Sequence, residues 1–389
     1  MSKIIESIFP FSENWSWLTF CLYVIVGMIV TSFCKRGAKA TAYNKKKGQK
    51  VKNSEIYYFL AFIVLVLLAT LRTENVGSDT RVYVDYFKQA TYYKELYSSY
   101  KIMEQGFLIY NSLIRKITSN YTIYFFITYS FIAWSYINYI KNHFDDNSDY
   151  IFLQLFIFFY TSNMSGVRSG IGVAFLLFSY TKLSKGKTIQ AIILTIIAIS
   201  FHYTTAINIY MICMIGIFKN QNRLKRKWIW IVTTIGTIVV SYIGVFKIKS
   251  IFIGTKYESY SSISVEELSL LGSTFFIIFI VLCIVNYKAL FYKTKGKMSL
   301  RNSLIFSMSL AVLYPIIYIA GAYRIPNYYA LPRLNVWSEI NNILIYKFGV
   351  ENKHRMLFKV ILQIIVILYL LFKFTRSATD GYFRYEFII

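Results

Sequence analysis

Arg72, Glu74, Asp79 and Arg81 crowd into LRTENVGSDTRVYVDYF at 71–87, directly after the apolar run YYFLAFIVLVLLAT. Asn163 and Arg168 in TSNMSGVRSG, His202 in ISFHYTT, and Arg324 and Arg333 in GAYRIPNYYALPR each sit at the margin of another apolar run. Guanidinium groups stay charged at any working pH and bind phosphate oxygens through two parallel hydrogen bonds. Three or four of them meeting on one face would suit a diphosphate and the charge that develops as it leaves. An attacking hydroxyl would then need a base. His202 or Asp79 could serve, a contribution of about 10²–10⁴ in rate.

Each residue also has a plainer use. An arginine at a helix end snorkels to lipid headgroups. Asp79, after Gly77 and Ser78, reads equally as the cap of a helix starting near Thr80, and a lone histidine at a break reads as a structural cap. Arg168 resists the plain reading. It lies between MSGV and SGIGV, where small residues let helices approach and leave little room to snorkel. Charge at mid-membrane costs about 2.5–3.5 kcal/mol, so an arginine kept there implies a partner. Glu104, in MEQGF, is an acid beside a turn glycine. Glu339 falls inside an apolar run and is expected to pair within the bundle. The aspartates of DDNSD at 145–149 form too short a motif, in too hydrophilic a turn, to mark a nucleotide-sugar site.

These side chains need scaffolding, and composition says what kind. The 389 residues are 56% hydrophobic and 19% aromatic. The apolar residues come in blocks of the length that crosses about 30 Å of hydrocarbon at 1.5 Å per residue. The expected fold is an all-α polytopic membrane protein, one domain over 1–389, with about twelve spans (ten to twelve). The spans are read at 17–34, 56–71, 121–140, 151–162, 166–181, 189–201, 203–218, 228–246, 272–290, 302–320, 325–346 and 356–372. Those from 151 to 218 are short and closely spaced, which suggests broken or tilted helices. The opening MSKIIESIFPFSENWSW lacks a small-residue cleavage site, so the first span is expected to be retained.

The net charge of +25 would suggest a nucleic-acid partner in a soluble protein. Here the basic residues sit in short loops, eight of them in 35–55 and five in 219–227. Loops on that side of the bilayer carry 5 acids against 12 on the other. The positive-inside bias therefore accounts for the charge, and nucleic acid is excluded as a partner. Both termini, the 71–87 stretch and the turns holding Asn163, Arg168, His202, Arg324 and Arg333 then face outward, while DDNSD faces the cytoplasm. The outward side also holds the one long loop, 72–120. There Tyr83, Tyr86, Phe87, Ala90, Tyr93, Tyr97 and Tyr100 recur at helical intervals and predict an amphipathic helix on the membrane or the bundle. A second short helix around Phe107–Ile117 leads back to the bilayer. Cys21, Cys34, Cys213 and Cys283 form neither a metal-ligand spacing nor a disulfide framework, and no cofactor or metal is called for.

LRTENVGSDTRVYVDYF, then EQGF, NMSGVRSGIGVAF and FHYTT, in that order, resemble the EpsG/Wzy-type polysaccharide polymerase family. That family's pattern is R-x(3–4)-VG-[TS]-D-T-x(2)-Y, E-x-G-[FY], N-x(3)-[VIL]-R-[QS] and F-H-x-[ST]. The likeness covers about residues 56–335. The chain departs from it at Ser169, where Gln is commoner, and at Ser78, where Thr is commoner. The C-terminal third matches only loosely.

The resemblance implies a GT-C-like, inverting glycosyltransferase of a bacterial inner membrane, active on the periplasmic face. Donor and acceptor would be undecaprenyl-diphosphate-linked oligosaccharides, in O-antigen or capsule assembly, with membrane lipid around them and a chain-length regulator protein as partner. It implies that Arg72, Arg168, Arg324 and Arg333 hold diphosphate, and that His202 or Asp79 acts on the acceptor hydroxyl. Asn163, Tyr83, Glu104 and Arg81 would bind sugar or brace the arginines. The rival readings are an O-antigen ligase, a lipid-linked oligosaccharide flippase and a membrane O-acyltransferase.

Overall fold

The computed structural model describes residues 9–11, 13, 15–46, 52–90, 103–218, 270–319, 325–347, 352–376 and 384–388. Arg324, Tyr93, Tyr97, Tyr100 and the span expected at 228–246 lie outside them. The described chain is helical, with one isolated β-bridge between Arg72 and Phe387.

In chain order the helices are α1 (Trp17–Lys46), α2 (Lys52–Thr70), α3 (Thr80–Gln89), α4 (Gln105–Ile117) and α5 (Tyr121–His143). Then come α6 (Tyr150–Leu153), α7 (Phe156–Ser165), α8 (Val167–Ser184) and α9 (Thr188–Phe201). One turn of 3₁₀ helix, Tyr203–Ala206, leads into α10 (Ile207–Ile217). After the next described segment begins, α11 (Leu270–Val285), α12 (Tyr287–Lys293), α13 (Met298–Ile319), α14 (Ile325–Tyr328), α15 (Ala330–Lys347) and α16 (Asn352–Arg376) complete the set.

The expected spans map onto these helices with informative differences. The first continues to Lys46, well past the apolar run, because Lys, Arg and Ala make up most of KRGAKATAYNKK and favour a helix in water. The span expected at 151–162 is interrupted between α6 and α7, and the one at 325–346 between α14 and α15. Among the described residues, Trp17–Asn44 and Met356–Arg376 are both long and apolar enough to cross a membrane unaided. Ser54–Thr70, Thr188–Phe201 and Tyr203–Ile217 are apolar but shorter. The described helices make an all-α bundle consistent with a membrane protein and do not fix twelve crossings.

α1, α2, α5, α8 and α9 pack in that order, each against the next, and α13 packs on α15. Their shared core is aromatic, with Tyr23, Phe125, Tyr129, Tyr160 and Tyr180 all fully buried. Of the amphipathic stretch after Arg72, the described part is α3. It turns Tyr83, Val84 and Phe87 inward, with Phe87 stacked on Tyr124 at 4.4 Å, so it lies on the bundle.

Distant parts of the chain meet at one end of this bundle. Tyr385 donates its backbone N–H to Thr19 Oγ1 (3.0 Å) and its hydroxyl to the Leu68 carbonyl (2.5 Å). Ile388 N–H reaches the Leu71 carbonyl and Thr73 N–H the Glu386 carbonyl, both at 2.9 Å. The C-terminal residues thus strap the start of the 71–79 turn. Within that turn Gly77 has φ +106°, where a side chain is strained, and a Cβ there would lie 2.9 Å from Ser165 Cα. Lacking one, the turn closes on Ser165, and Ser78 and Ser165 share a hydroxyl hydrogen bond of 2.9 Å.

The opposite end is closed by ion pairs and caps: Lys141–Glu55 (2.6 Å), Lys297–Asp145 (3.0 Å) and Asp149, which caps α6 and accepts from the Asn341 amide. The aspartates Asp145 and Asp149 of DDNSD are structural here.

Candidate active site

Glu104 precedes α4 in extended conformation, the position of a cap, yet its side chain makes no capping bond. It turns into the bundle and is fully buried. One carboxylate oxygen accepts from Arg168 Nη1 at 2.6 Å; the other faces His202 Nδ1 at 3.5 Å and accepts the Tyr203 N–H at 3.3 Å. The side chains of Arg168 and His202 retain 13% and 10% exposure, so the pair opens on its cationic edge. Burial raises the Glu104 pKa, but the His202 hydrogen bond and the charges of Arg168 and His202 outweigh it and hold the carboxyl below its ordinary value.

Two glycines permit this meeting. A Cβ on Gly106 would stand 2.7 Å from the Ser200 carbonyl oxygen, so only glycine lets α4 start against the end of α9. Gly172 lies one helical turn beyond Arg168 on the same face of α8. A Cβ there would be 3.3 Å from that of His202. His202 itself stands where α9 ends: its N–H still bonds Ala198 (2.9 Å), but its backbone is extended and turns the chain into the 3₁₀ segment. Gly106→Ala is therefore expected to push Glu104 off His202 and to cost about 1–3 kcal/mol of stability, the scale of overpacking. A wild-type melting temperature in the purified variant would contradict this.

Arg72 is placed differently from the diphosphate contact expected of it. It has no exposed surface. Nε donates to the Ala69 carbonyl (3.1 Å), Nη1 to the Val76 carbonyl (2.7 Å) and Thr80 Oγ1 (3.3 Å), and Nη2 to the Tyr129 hydroxyl (2.6 Å). That occupies four of a guanidinium's five N–H donors. The rings of Phe125 and Tyr129 lie 4.9 and 5.0 Å from its central carbon. Tyr129 in turn donates to the Met164 carbonyl at 2.9 Å. Arg72 thus fixes the 71–80 turn and, through Tyr129, the end of α7 from which Arg168 follows.

The other expected residues spread over the same end. Asp79 is half-buried before α3, accepts from Ser78 Oγ (3.2 Å) and gives its N–H to Ser165 Oγ (3.5 Å), which ties it to the turn ahead of Arg168. Tyr83 is buried edge-on to Phe107 at 5.5 Å, locking α3 to α4. Asn163 donates to the Tyr136 hydroxyl at 2.8 Å and braces α7 on α5. Arg81 is exposed on α3. Arg333, half-buried on α15, has its guanidinium 5.9 Å from the Phe159 ring. Glu339 faces Lys293 at 3.5 Å, as its position inside an apolar run implied.

Two contributors carried no signal in the sequence. Met103 Sδ meets Arg168 Nη1 at 3.0 Å, and the Tyr328 ring stands edge-on to His202 at 6.2 Å. The Tyr328 hydroxyl bonds Thr204 Oγ1 at 2.6 Å. One tyrosine among 35 does not announce itself, and a methionine beside an acid reads as filler.

The meeting of EQGF, VRSG and FHYT in one cluster agrees with a comparison of the whole chain, in which the family model for EpsG matches residues 55–387. The chain belongs to the EpsG family. No curated protein and no solved structure matches it. EpsG membership, with the helical architecture and its apolar helices, makes it a membrane protein with a polysaccharide-polymerase type of role. The match begins after α1 and runs through Glu386, so it takes in the C-terminal strap as well as the Glu104 cluster.

Proposed function

We propose that this EpsG-family chain polymerises undecaprenyl-diphosphate-linked oligosaccharide repeat units into O-antigen or capsular polysaccharide. The reaction takes place on the periplasmic face of a bacterial inner membrane, without a metal. The observation that supports this best is Glu104, which holds Arg168 with one oxygen and faces His202 with the other. A carboxylate against Nδ1 orients an imidazole so that Nε2 is its basic nitrogen. His202 is thereby suited to take a proton from the acceptor's hydroxyl.

In this reading the acceptor is a single lipid-linked repeat unit and the donor is the growing polymer on its lipid diphosphate. The acceptor oxygen bonds to the donor's anomeric carbon as His202 Nε2 takes its proton. The bond from that carbon to the phosphate oxygen breaks, and its electron pair leaves on the diphosphate. A single displacement inverts configuration. Arg168, at the start of α8 where the helix dipole is also positive, stabilises the departing charge, with Arg324 and Arg333 completing the anion site. Asp79 is the second candidate base, and Arg81, Asn163 and Tyr83 serve sugar binding or bracing. The fold is GT-C-like, and a chain-length regulator is the expected partner.

Purified protein with lipid-linked repeat units tests the chemistry. His202→Asn is expected to slow transfer by about 10²–10⁴ while leaving substrate affinity nearly unchanged. A rate within threefold of wild type would remove His202 as base. In a deletion strain, surface glycan carrying single repeats supports a polymerase. Long chains left on the lipid carrier would identify a ligase, and repeat units trapped inside a flippase.

A further inference from the structure

His202 needs more than Glu104 to hold it. Its Nδ1 lies 3.5 Å from the carboxylate, the far limit of a hydrogen bond, so that contact sets which nitrogen is basic and leaves the ring plane able to tilt. The terminal torsion of a histidine has broad wells and supplies no stop of its own. The backbone is better fixed, since Thr205 Oγ1 donates to the His202 carbonyl at 2.7 Å. Whatever sets the imidazole plane must come from a second element packed beside it.

That element is α14. Tyr328, at its end, is 2% exposed, and its ring stands at 77° to the imidazole with centroids 6.2 Å apart, the edge-on arrangement that aromatic pairs prefer. Its hydroxyl shares a 2.6 Å hydrogen bond with Thr204 Oγ1, in the 3₁₀ turn that carries the chain on from His202. One tyrosine therefore meets both the ring and the turn that bears it. Tyr328 is held in turn by its neighbour. Tyr329, at the break between α14 and α15, has no exposed surface and stacks on Tyr180 at 5.5 Å, with Phe306 at 5.6 Å. Its hydroxyl faces Asn208 Oδ1 at 3.5 Å, and the Asn208 amide donates to Thr195 Oγ1 at 2.8 Å. The break thus anchors one ring in the core and presents the other to His202.

We propose that Tyr328 is a positioning residue for His202, fixing the imidazole plane with its ring and the following turn with its hydroxyl. This rests on the reading of His202 as the base. Tyr328 touches no reacting atom in this scheme and acts on the rate of transfer through His202 alone. The ring carries most of the effect, because it meets the imidazole directly, and the hydroxyl carries the remainder.

A double-mutant cycle on the purified full chain with lipid-linked repeat units tests this. Tyr328→Leu is expected to lower kcat about 10²-fold, the scale at which small misplacements act, with KM for the acceptor nearly unchanged. Tyr328→Phe keeps the ring and should lose only about fivefold, the worth of one neutral hydrogen bond. In a His202→Asn background neither change should slow transfer further, because the residue to be positioned is gone. A folded Tyr328→Leu protein with wild-type kcat, or losses equally large with and without His202, would overturn the proposal. Should the leucine variant not fold, the phenylalanine variant answers the same question by whether its loss disappears in that background. His202→Asn at the wild-type rate would remove the base, and this inference with it. His202→Asn slow beside Tyr328→Leu at full rate would remove Tyr328 alone.

Discussion

Glu104→Gln is expected to reduce repeat-unit transfer by about 10³-fold or more while leaving a folded protein. The amide keeps the shape and one acceptor oxygen but loses the charge that binds Arg168 at 2.6 Å and sets the tautomer of His202. An analogous change in a hydrolytic triad, carboxylate to amide beside a histidine, costs about 10⁴ in turnover through the wrong tautomer. Glu104→Ala adds a stability penalty. Removing one partner of a buried pair costs about 3–5 kcal/mol, and the lower end applies because Arg168 keeps 13% exposure. Glu104→Asp, one methylene shorter, cannot reach both partners and should resemble the amide.

The linkage to pH has a definite sign. Folding lowers the Glu104 pKa from an ordinary value of 4.5, so its stabilisation is complete above that pH. It is lost as pH falls through the lower folded value, because the folded state then gains a proton that the unfolded state already holds. Wild type should therefore lose stability on acidification more steeply than Glu104→Gln. Parallel acid-unfolding curves, or an amide variant that polymerises at the wild-type rate, would take Glu104 out of the centre of the site.

Arg72→Met is expected to be the most destabilising single change at this end of the bundle. It removes charged donors from the carbonyls of Ala69 and Val76 and from the Tyr129 hydroxyl in a fully buried setting, although Val76 keeps Thr80 Oγ1 and Tyr129 keeps the Met164 carbonyl. A hydrogen bond to a charged group is worth about 1.5–3 kcal/mol, and the two flanking rings lose a desolvated cation worth up to about 2 kcal/mol more. Arg72→Lys is the sharper test, since a lysine keeps the charge but cannot bond along three directions in a plane. If Arg72 positions the turn, the lysine variant melts several degrees lower, and whatever folds binds lipid diphosphate with unchanged affinity. A variant that melts like wild type but binds lipid diphosphate tenfold more weakly would return Arg72 to the anion site.

The sequence makes the residue types of this site legible, but not their ranks. Arg168 is conspicuous because small residues surround it, and the structure gives it the partner that setting implied. Glu104 is inconspicuous, an acid beside a glycine in a long polar loop, and its importance rests on Gly106 meeting Ser200, a contact between segments nearly a hundred residues apart. Arg72 marks the limit most clearly. An arginine at the end of an apolar run looks the same on paper whether it turns out to the headgroups or in towards Tyr129. Only packing separates the two. Among the described residues the helices follow hydropathy closely, apart from α1, which runs on to Lys46. The breaks after Leu153 and Tyr328 are backbone events that hydropathy does not record.

The strap of Tyr385–Ile388 across Thr19, Leu68 and Leu71 has an arithmetical consequence for the whole molecule. The chain leaves this end of the bundle after Thr19 and is back at it by Tyr385, so between those two residues it runs the bundle's length an even number of times.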